Sequence, residues 1–316
     1  AGPATELTLQ PSQTVGSTAP VRYYRSAGLD IGLPSDQRAD DARSLCFDTA
    51  PLAQDIEILG AAVVTLDVSV DKPVAFLAVR LNEVDPDGTS KRVCFAVLNL
   101  THRDSHEFPQ ALEPGKRYRV QVQLHDCAYR FKSGARLRVA VSTSYWPAFW
   151  PAPEPVTLTL HTQASSLLLP VRPPQTSDAA LKPFGAGFVP QTSGRTTLVA
   201  ETPETKAFEW DAETKKLTIR SGGDSGRWRL NETGTELASH WSEVTEILED
   251  DPCSASIDYR MTEVYCRGDW DIRVTAALQM RMTRENFFVS GQITAFDRDT
   301  EVSAKGWERI IPRRLL

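Results

Sequence analysis

From Trp270 to Thr283 apolar and polar residues alternate without a break: Trp270, Ile272, Val274, Ala276, Leu278, Met280 and Met282 stand against Asp271, Arg273, Thr275, Ala277, Gln279, Arg281 and Thr283. A period of two calls for a long strand with one face on a core and the other on water. Arg284-Glu285-Asn286 supplies a turn, Phe287, Val289, Ile293 and Ala295 predict the returning strand, and Asp297-Arg298-Asp299 closes it. Ala255, Ile257, Tyr259 and Met261 follow the same pattern. Leu217–Ile219 predicts a strand that turns through Ser221-Gly222-Gly223-Asp224 into Trp228–Leu230. The chain from about residue 190 onward is therefore expected to be an antiparallel meander.

The front half carries strand signals in another arrangement. Val64, Leu66, Val68 and Val70 alternate, whereas Val74–Leu81 and Val93–Leu100 are almost continuously apolar, as in strands buried on both faces of a sandwich. Further strands are expected at Tyr118–Leu124, Leu137–Val141 and Val156–Leu160, separated by Asp71-Lys72-Pro73, Asp85-Pro86-Asp87-Gly88, Glu113-Pro114-Gly115 and Lys132-Ser133-Gly134. Helical periodicity is lacking; at most a short turn is expected over Asp104–Ala111. This spacing predicts an all-β sandwich or jelly roll over residues 1–173, a proline-rich linker over 174–190, and a second antiparallel β domain over 191–316.

A length of 316 residues suits two such domains. A net charge of −6 argues against a nucleic-acid partner, whose phosphates call for clustered Lys and Arg. Nothing in the sequence approaches the roughly 18 apolar residues of a membrane helix, so no membrane partner is expected. Ala1–Gln10 lacks a signal-peptide layout, and the chain does not begin with Met. It reads as a piece of a longer polypeptide, with the cytoplasm as the expected location of this stretch. The sequence sets no oligomeric state. Five scattered cysteines (Cys46, Cys94, Cys127, Cys253, Cys266) without a C-x-x-C pair point to reduced thiols rather than a disulfide framework or zinc site. Cys253 and Cys266 flank one predicted strand, roughly 40 Å apart at about 3.3 Å per residue, far beyond disulfide reach.

Candidate chemistry is sparse. No G-x-S-x-G nucleophile elbow occurs anywhere in the chain. Gly223-Asp224-Ser225-Gly226 echoes the nucleophile segment of chymotrypsin-like proteases, but Arg227 replaces a further glycine and His102 lacks the usual flanks; a hairpin turn is expected instead. His102 and His106 would share a face only on a helix, and His125-Asp126-Cys127 cannot converge from consecutive strand positions. Asp85-Pro86-Asp87-Gly88 lacks the further carboxylates of a calcium loop and reads as a turn. No catalytic residue, metal or cofactor is therefore assigned. The segment from Ser144 to Pro155 packs Tyr145, Trp146, Phe149 and Trp150 among four prolines, more aromatic surface than such a loop is expected to bury in its own domain. Three readings stand: contact with another domain, capping of the local core, and stacking on a sugar ring. The first is taken forward.

Pro51–Gly60, Val79–Gly88, Leu98–Arg103 and Gly134–Pro147 together resemble the C-terminal domain of X-Pro dipeptidyl-peptidase and cocaine-esterase (CocE/NonD) type hydrolases, with Ala135 standing where His is usual. The tail, with Arg267-Gly268-Asp269-Trp270-Asp271 and Ile311-Pro312-Arg313, is similar to the extension of longer members. The resemblance implies a galactose-binding-like jelly roll packed on an upstream α/β-hydrolase domain that carries Ser, Asp and His. It transfers no catalytic residue to this chain. It implies a non-catalytic rear part that shapes the active site of an esterase, amidase or dipeptidyl-peptidase; a carbohydrate-binding jelly roll is the alternative.

Overall fold

The computed structural model describes residues 6–17, 36–183, 185, 187 and 194–316. Its compact units are Ala1–Pro174 with Leu248–Cys253 and Arg314–Leu316, and Gln175–Ile247 with Ser254–Arg313. Among the described residues no helix is long and apolar enough to cross a membrane.

The first unit is a β-sandwich. One sheet pairs β1 (Glu6–Leu9), β10 (Leu158–His161), β4 (Val63–Val70), β7 (Tyr118–Gln123) and β11 (Ser166–Leu168). The other runs β2 (Leu45–Asp48), β9 (Arg136–Ser142), β5 (Phe76–Val84), β6 (Ser90–Asn99), and β3 (Ile56–Gly60) pairs β8 (Cys127–Phe131) separately. The alternation read from the sequence becomes the core. Val64, Leu66 and Val68, with Val120, Val122, Leu158 and Leu160, form one buried cluster with Leu77, Val79, Leu81, Leu137 and Val141. Each such side chain contributes about 1.5–3 kcal/mol when fully buried. The β5–β6 turn closes where Asp85-Pro86-Asp87-Gly88 predicts it: Gly88 N donates to Asp85 O at 2.9 Å and Thr89 N to Asp87 Oδ1 at 2.9 Å. The left-handed Gly88, φ 88°, suits the turn.

β5 is buried on both faces, as its apolar run predicts, but its outer face carries Arg80 and Asn82, both 0% exposed. The short helix α1 (Arg38–Asp41) contributes Asp40 and Asp41 to the groups bonded there. In place of a turn over Asp104–Ala111, a 3₁₀ turn lies earlier, at Leu100–His102, with the Asn99 side chain accepting from Thr101 N at 3.0 Å. Another 3₁₀ turn, Thr176–Ala180, lies in the proline-rich segment, while residues 184, 186 and 188–190 of the expected linker lie outside the described residues.

The second unit is a meander of long strands: β12 (Arg195–Val199), β13 (Thr202–Asp211), β14 (Lys216–Leu230), β15 (Glu236–Leu248), β16 (Asp251–Arg267), β17 (Trp270–Met282), β18 (Asn286–Asp297) and β19 (Thr300–Pro312). β14 to β19 neighbour one another in chain order, and β12 and β13 both pair with β14. Met280 sits opposite both Ile257 and Val289, so the apolar positions of successive strands fall on one face.

One expected turn is overturned. Ser221-Gly222-Gly223-Asp224 and the following Ser225-Gly226 lie inside β14, which runs unbroken from Lys216 to Leu230. The glycines serve close packing. A Cβ on Gly223 would stand 2.8 Å from the Trp241 indole nitrogen, and one on Gly226 only 2.2 Å from Val199 O. Gly226 has φ 65°, and register shifts occur where β14 passes from one partner strand to the other. Glycine within a strand marks such bulges and close approaches as readily as turns.

Candidate interface loop and its buried polar support

The aromatic loop leaves β9 after Ser142. Its four aromatics divide into two pairs. Tyr145 and Trp146 are 0% and 1% exposed, whereas Phe149 and Trp150 are half-buried. The loop therefore hides more of its aromatic surface within the chain than its composition suggests, and the reason is a remote segment. Trp146 N donates to Val15 O at 2.7 Å, and a Cβ on Gly16, φ 104°, would meet Trp146 O at 2.6 Å. Only glycine allows this approach. Phe149 packs against Phe76 with ring centroids 5.6 Å apart, and Trp150 stands edge-on to Trp146 at 5.3 Å.

Tyr145 opens onto a buried polar network on the outer face of β5. Its hydroxyl donates to Gln37 Oε1 at 3.2 Å and accepts from Arg92, and its ring lies 5.4 Å from Phe95. Arg80 is fully buried: its guanidinium donates to Gln37 Oε1 at 3.2 Å and Ser44 Oγ at 2.7 Å, and lies 3.3 Å from Asp41 Oδ1. Asp41 also accepts from Ser90 Oγ at 2.7 Å, Arg138 Nη1 at 3.0 Å and Asn82 Nδ2 at 3.2 Å. Asp40 accepts from Gly16 N at 3.0 Å and pairs with Arg43 at 3.3 Å. Buried charges persist only when paired and hydrogen-bonded, and Arg80, Asp40 and Asp41 each are, with only Arg80 Nε and the Asn82 amide oxygen left without a hydrogen bond. Burial, with Asp41 adding to it, pushes the neighbouring Cys46 thiol up to about 11; burial also raises the Tyr145 phenol. Such groups hold a shape; they are not poised to exchange protons near neutrality.

Sequence reasoning passed over this network. Its signal was Arg80 and Asn82, two polar residues on one face of a strand that is otherwise apolar except for Glu83. Three of its members, Arg80, Asn82 and Arg138, belong to the motif runs that carry the family resemblance.

The catalytic decoys resolve structurally. Ser225 Oγ accepts from Ser239 N at 2.8 Å, whereas His240 Nδ1 faces Asp224 Oδ2 at 3.7 Å. Neighbouring strand residues point to opposite faces, so Ser225 and His240 do not meet. His161 lies between Ser69 Oγ at 3.4 Å and Glu6 Oε1 at 3.1 Å, and the His125 ring packs on Phe95 at 4.9 Å. His102 and His106 do meet, with Nδ1 atoms 3.3 Å apart, although no α-helix joins them; the chain bends after Leu100–His102 and brings them together. Cys253 and Cys266 lie on the single strand β16, and all five cysteines are free thiols. Among the described residues no group of three or more His, Cys, Asp or Glu side chains is placed to hold a metal.

Cocaine esterase of Rhodococcus sp. strain MB1 Bresler is 29% identical over 118 residues, which are 37% of this chain and 21% of that protein. The match thus spans about a fifth of the relative's length. Among solved structures, an alpha-amino acid ester hydrolase is 25% identical with a TM-score of 0.47, covering 54% of this chain and 32% of that one. A CocE/NonD family hydrolase from Staphylococcus aureus is 16% identical with a TM-score of 0.40, covering 54% and 33%. The profile of the X-Pro dipeptidyl-peptidase C-terminal non-catalytic domain matches residues 2–205, the greater part of the sequence. The chain belongs to that family of non-catalytic C-terminal domains.

Proposed function

We propose that this chain is the rear part of a CocE/NonD-type serine hydrolase and packs on an α/β-hydrolase domain whose active site it helps to shape. The observation that carries the reading is the family match over residues 2–205 in a chain without a G-x-S-x-G elbow. Esters, amides and X-Pro peptides are the substrate classes of the whole enzyme in this reading; the choice among them rests with the catalytic domain. The half-buried ends of Phe149 and Trp150 are the docking candidates. Tyr145 and Trp146 act behind them, holding the loop against the sandwich. The division 1–173, 174–190 and 191–316 remains our proposal for the domain limits.

The burial of Trp146 speaks against the sugar-stacking reading of this loop, because a ring 1% exposed offers no face to a ligand. The test is to co-express the chain with the α/β-hydrolase domain of its native polypeptide. A complex that co-elutes on gel filtration, and that Trp150→Ala weakens, is the expected result. A native gene that encodes no such domain, or two parts that elute separately, would overturn the proposal.

A further inference from the structure

The second unit extends well past the residues matched by the family profile, and its long strands have two unlike faces. Ile257, Tyr259, Leu278, Met280 and Val289 share one face by register. The opposite face carries Asp258, Arg260, Gln279, Arg281, Gln292 and Glu308. Two concavities of ≈ 340 and ≈ 710 Å³ lie on it, and both are lined by Arg260 and Gln279, so they form one groove. Asp258, Gln279, Ser290 and Glu308 stand opposite one another in a row across four strands. At about 4.8 Å per strand the row is about 14 Å long.

We propose that this groove binds a neutral oligosaccharide. Asp258 fixes the central side chains: Gln279 Nε2 donates to its Oδ2 at 2.6 Å and Arg260 Nε to its Oδ1 at 3.0 Å. Arg260 Nη2 also reaches Asp258 Oδ2 at 3.5 Å, which leaves the Gln279 amide oxygen and the Nη1 N–H groups of Arg260 for a ligand. Carboxylates, amides and guanidinium groups are planar forks, suited to pairs of adjacent hydroxyls that both donate and accept. Glu246 is paired with Lys216 at 3.2 Å, and Asp258 and Glu308 balance Arg260 and Arg281, so the groove has no surplus positive charge to hold an anion. An apolar ligand would find its partners on the other face. Phe288, 40% exposed, sits opposite both Arg281 and Ile310 on the polar face and offers a flat apolar surface beside the forks. A sugar ring, with hydroxyls at its edge and C–H groups on its faces, needs that combination.

The test applies the intact 316-residue chain to an array of neutral glycans, followed by calorimetry with cellohexaose, xylohexaose, maltohexaose and chitohexaose. At least one is expected to bind. Gln279→Ala and Phe288→Ala should each weaken binding at least tenfold, while Phe108→Ala, at an exposed aromatic of the first unit, leaves it unchanged. Thermal unfolding confirms that each variant is folded, and the more exposed Gln292→Ala, expected to weaken binding severalfold, replaces either one that is not. A silent array and four blank titrations would overturn the proposal. So would binding indifferent to Gln279, Phe288 and Gln292, or capture of extended peptides in place of glycans. Any of these results leaves the docking of the first unit to be decided by its own co-elution experiment.

Discussion

Replacing Arg80 by Met separates a buried ion pair from an exposed one within the same small region. Arg80 is fully buried and spends its guanidinium on Gln37, Ser44 and Asp41. Met fills much the same volume but removes the charge, leaving Asp40 and Asp41, 0% and 5% exposed, with less compensation. Breaking one partner of a buried pair costs about 3–5 kcal/mol. Asp41 keeps Arg138 and Ser90, so the lower end of that range, about 3 kcal/mol, is the expected loss. At roughly 2–4 °C per kcal/mol for a unit of this size, the melting temperature of the first unit should fall by about 10 °C. The control is Arg38→Met. Arg38 pairs with Asp36 at 2.6 Å, but both partners are exposed and screened by solvent, and its loss should leave the stability nearly unchanged. Urea titration followed by tryptophan fluorescence and scanning calorimetry measures both variants. A cost for Arg80→Met below about 1 kcal/mol, or equal to that of Arg38→Met, would refute the claim that the network is a buried, closed structure.

Other consequences are equally open to measurement. The Cys46 thiol, raised from 9.0 to about 11, should hold about a hundredfold less thiolate at pH 8 than an ordinary cysteine; peptide mapping after native iodoacetamide labelling should find it protected, becoming reactive in urea. Gly226→Ala should cost about 2 kcal/mol or more, because φ 65° and a 2.2 Å approach to Val199 O act together, whereas Gly234→Ala, with φ 68° and open space, should cost only about 1 kcal/mol; paired urea titrations decide. A hydrogen bond from Arg117 holds Asp67 below its ordinary value of 3.8, so its stabilising effect is present above that pH and lost as pH falls through the lower folded value. The stability gap between the protein and Asp67→Asn should therefore close on acidification below 3.8; a gap independent of pH would contradict the assignment.

Strands were legible wherever period two or a continuous apolar run dominated, as in β4, β5, β17 and β18, because burial of one face leaves a direct trace in the sequence. Glycine misled the reading of β14, since Ser221–Gly226 has the composition of a turn while the partners its glycines pack on, Trp241 for Gly223 and Val199 for Gly226, lie remote in sequence. Short strands such as β2, β3 and β8 were missed for a related reason: each is half-exposed and owes its place to a partner strand rather than to its own pattern. Of the loop residues, Trp150 and Phe149 kept the exposed surface that composition suggested. The burial of Tyr145 and Trp146 depends on Val15 and Gly16, more than a hundred positions away, and no local pattern carries that information. The charged network under Tyr145 was hidden similarly, because pairing across β5, β9 and α1 is a property of the fold.

The most direct measurement of the central claim is an activity assay on the purified chain alone. With p-nitrophenyl esters and X-Pro-p-nitroanilides as substrates, it should show no turnover sensitive to a serine-directed inhibitor. Turnover abolished by such an inhibitor would place a nucleophile within these residues and contradict the account.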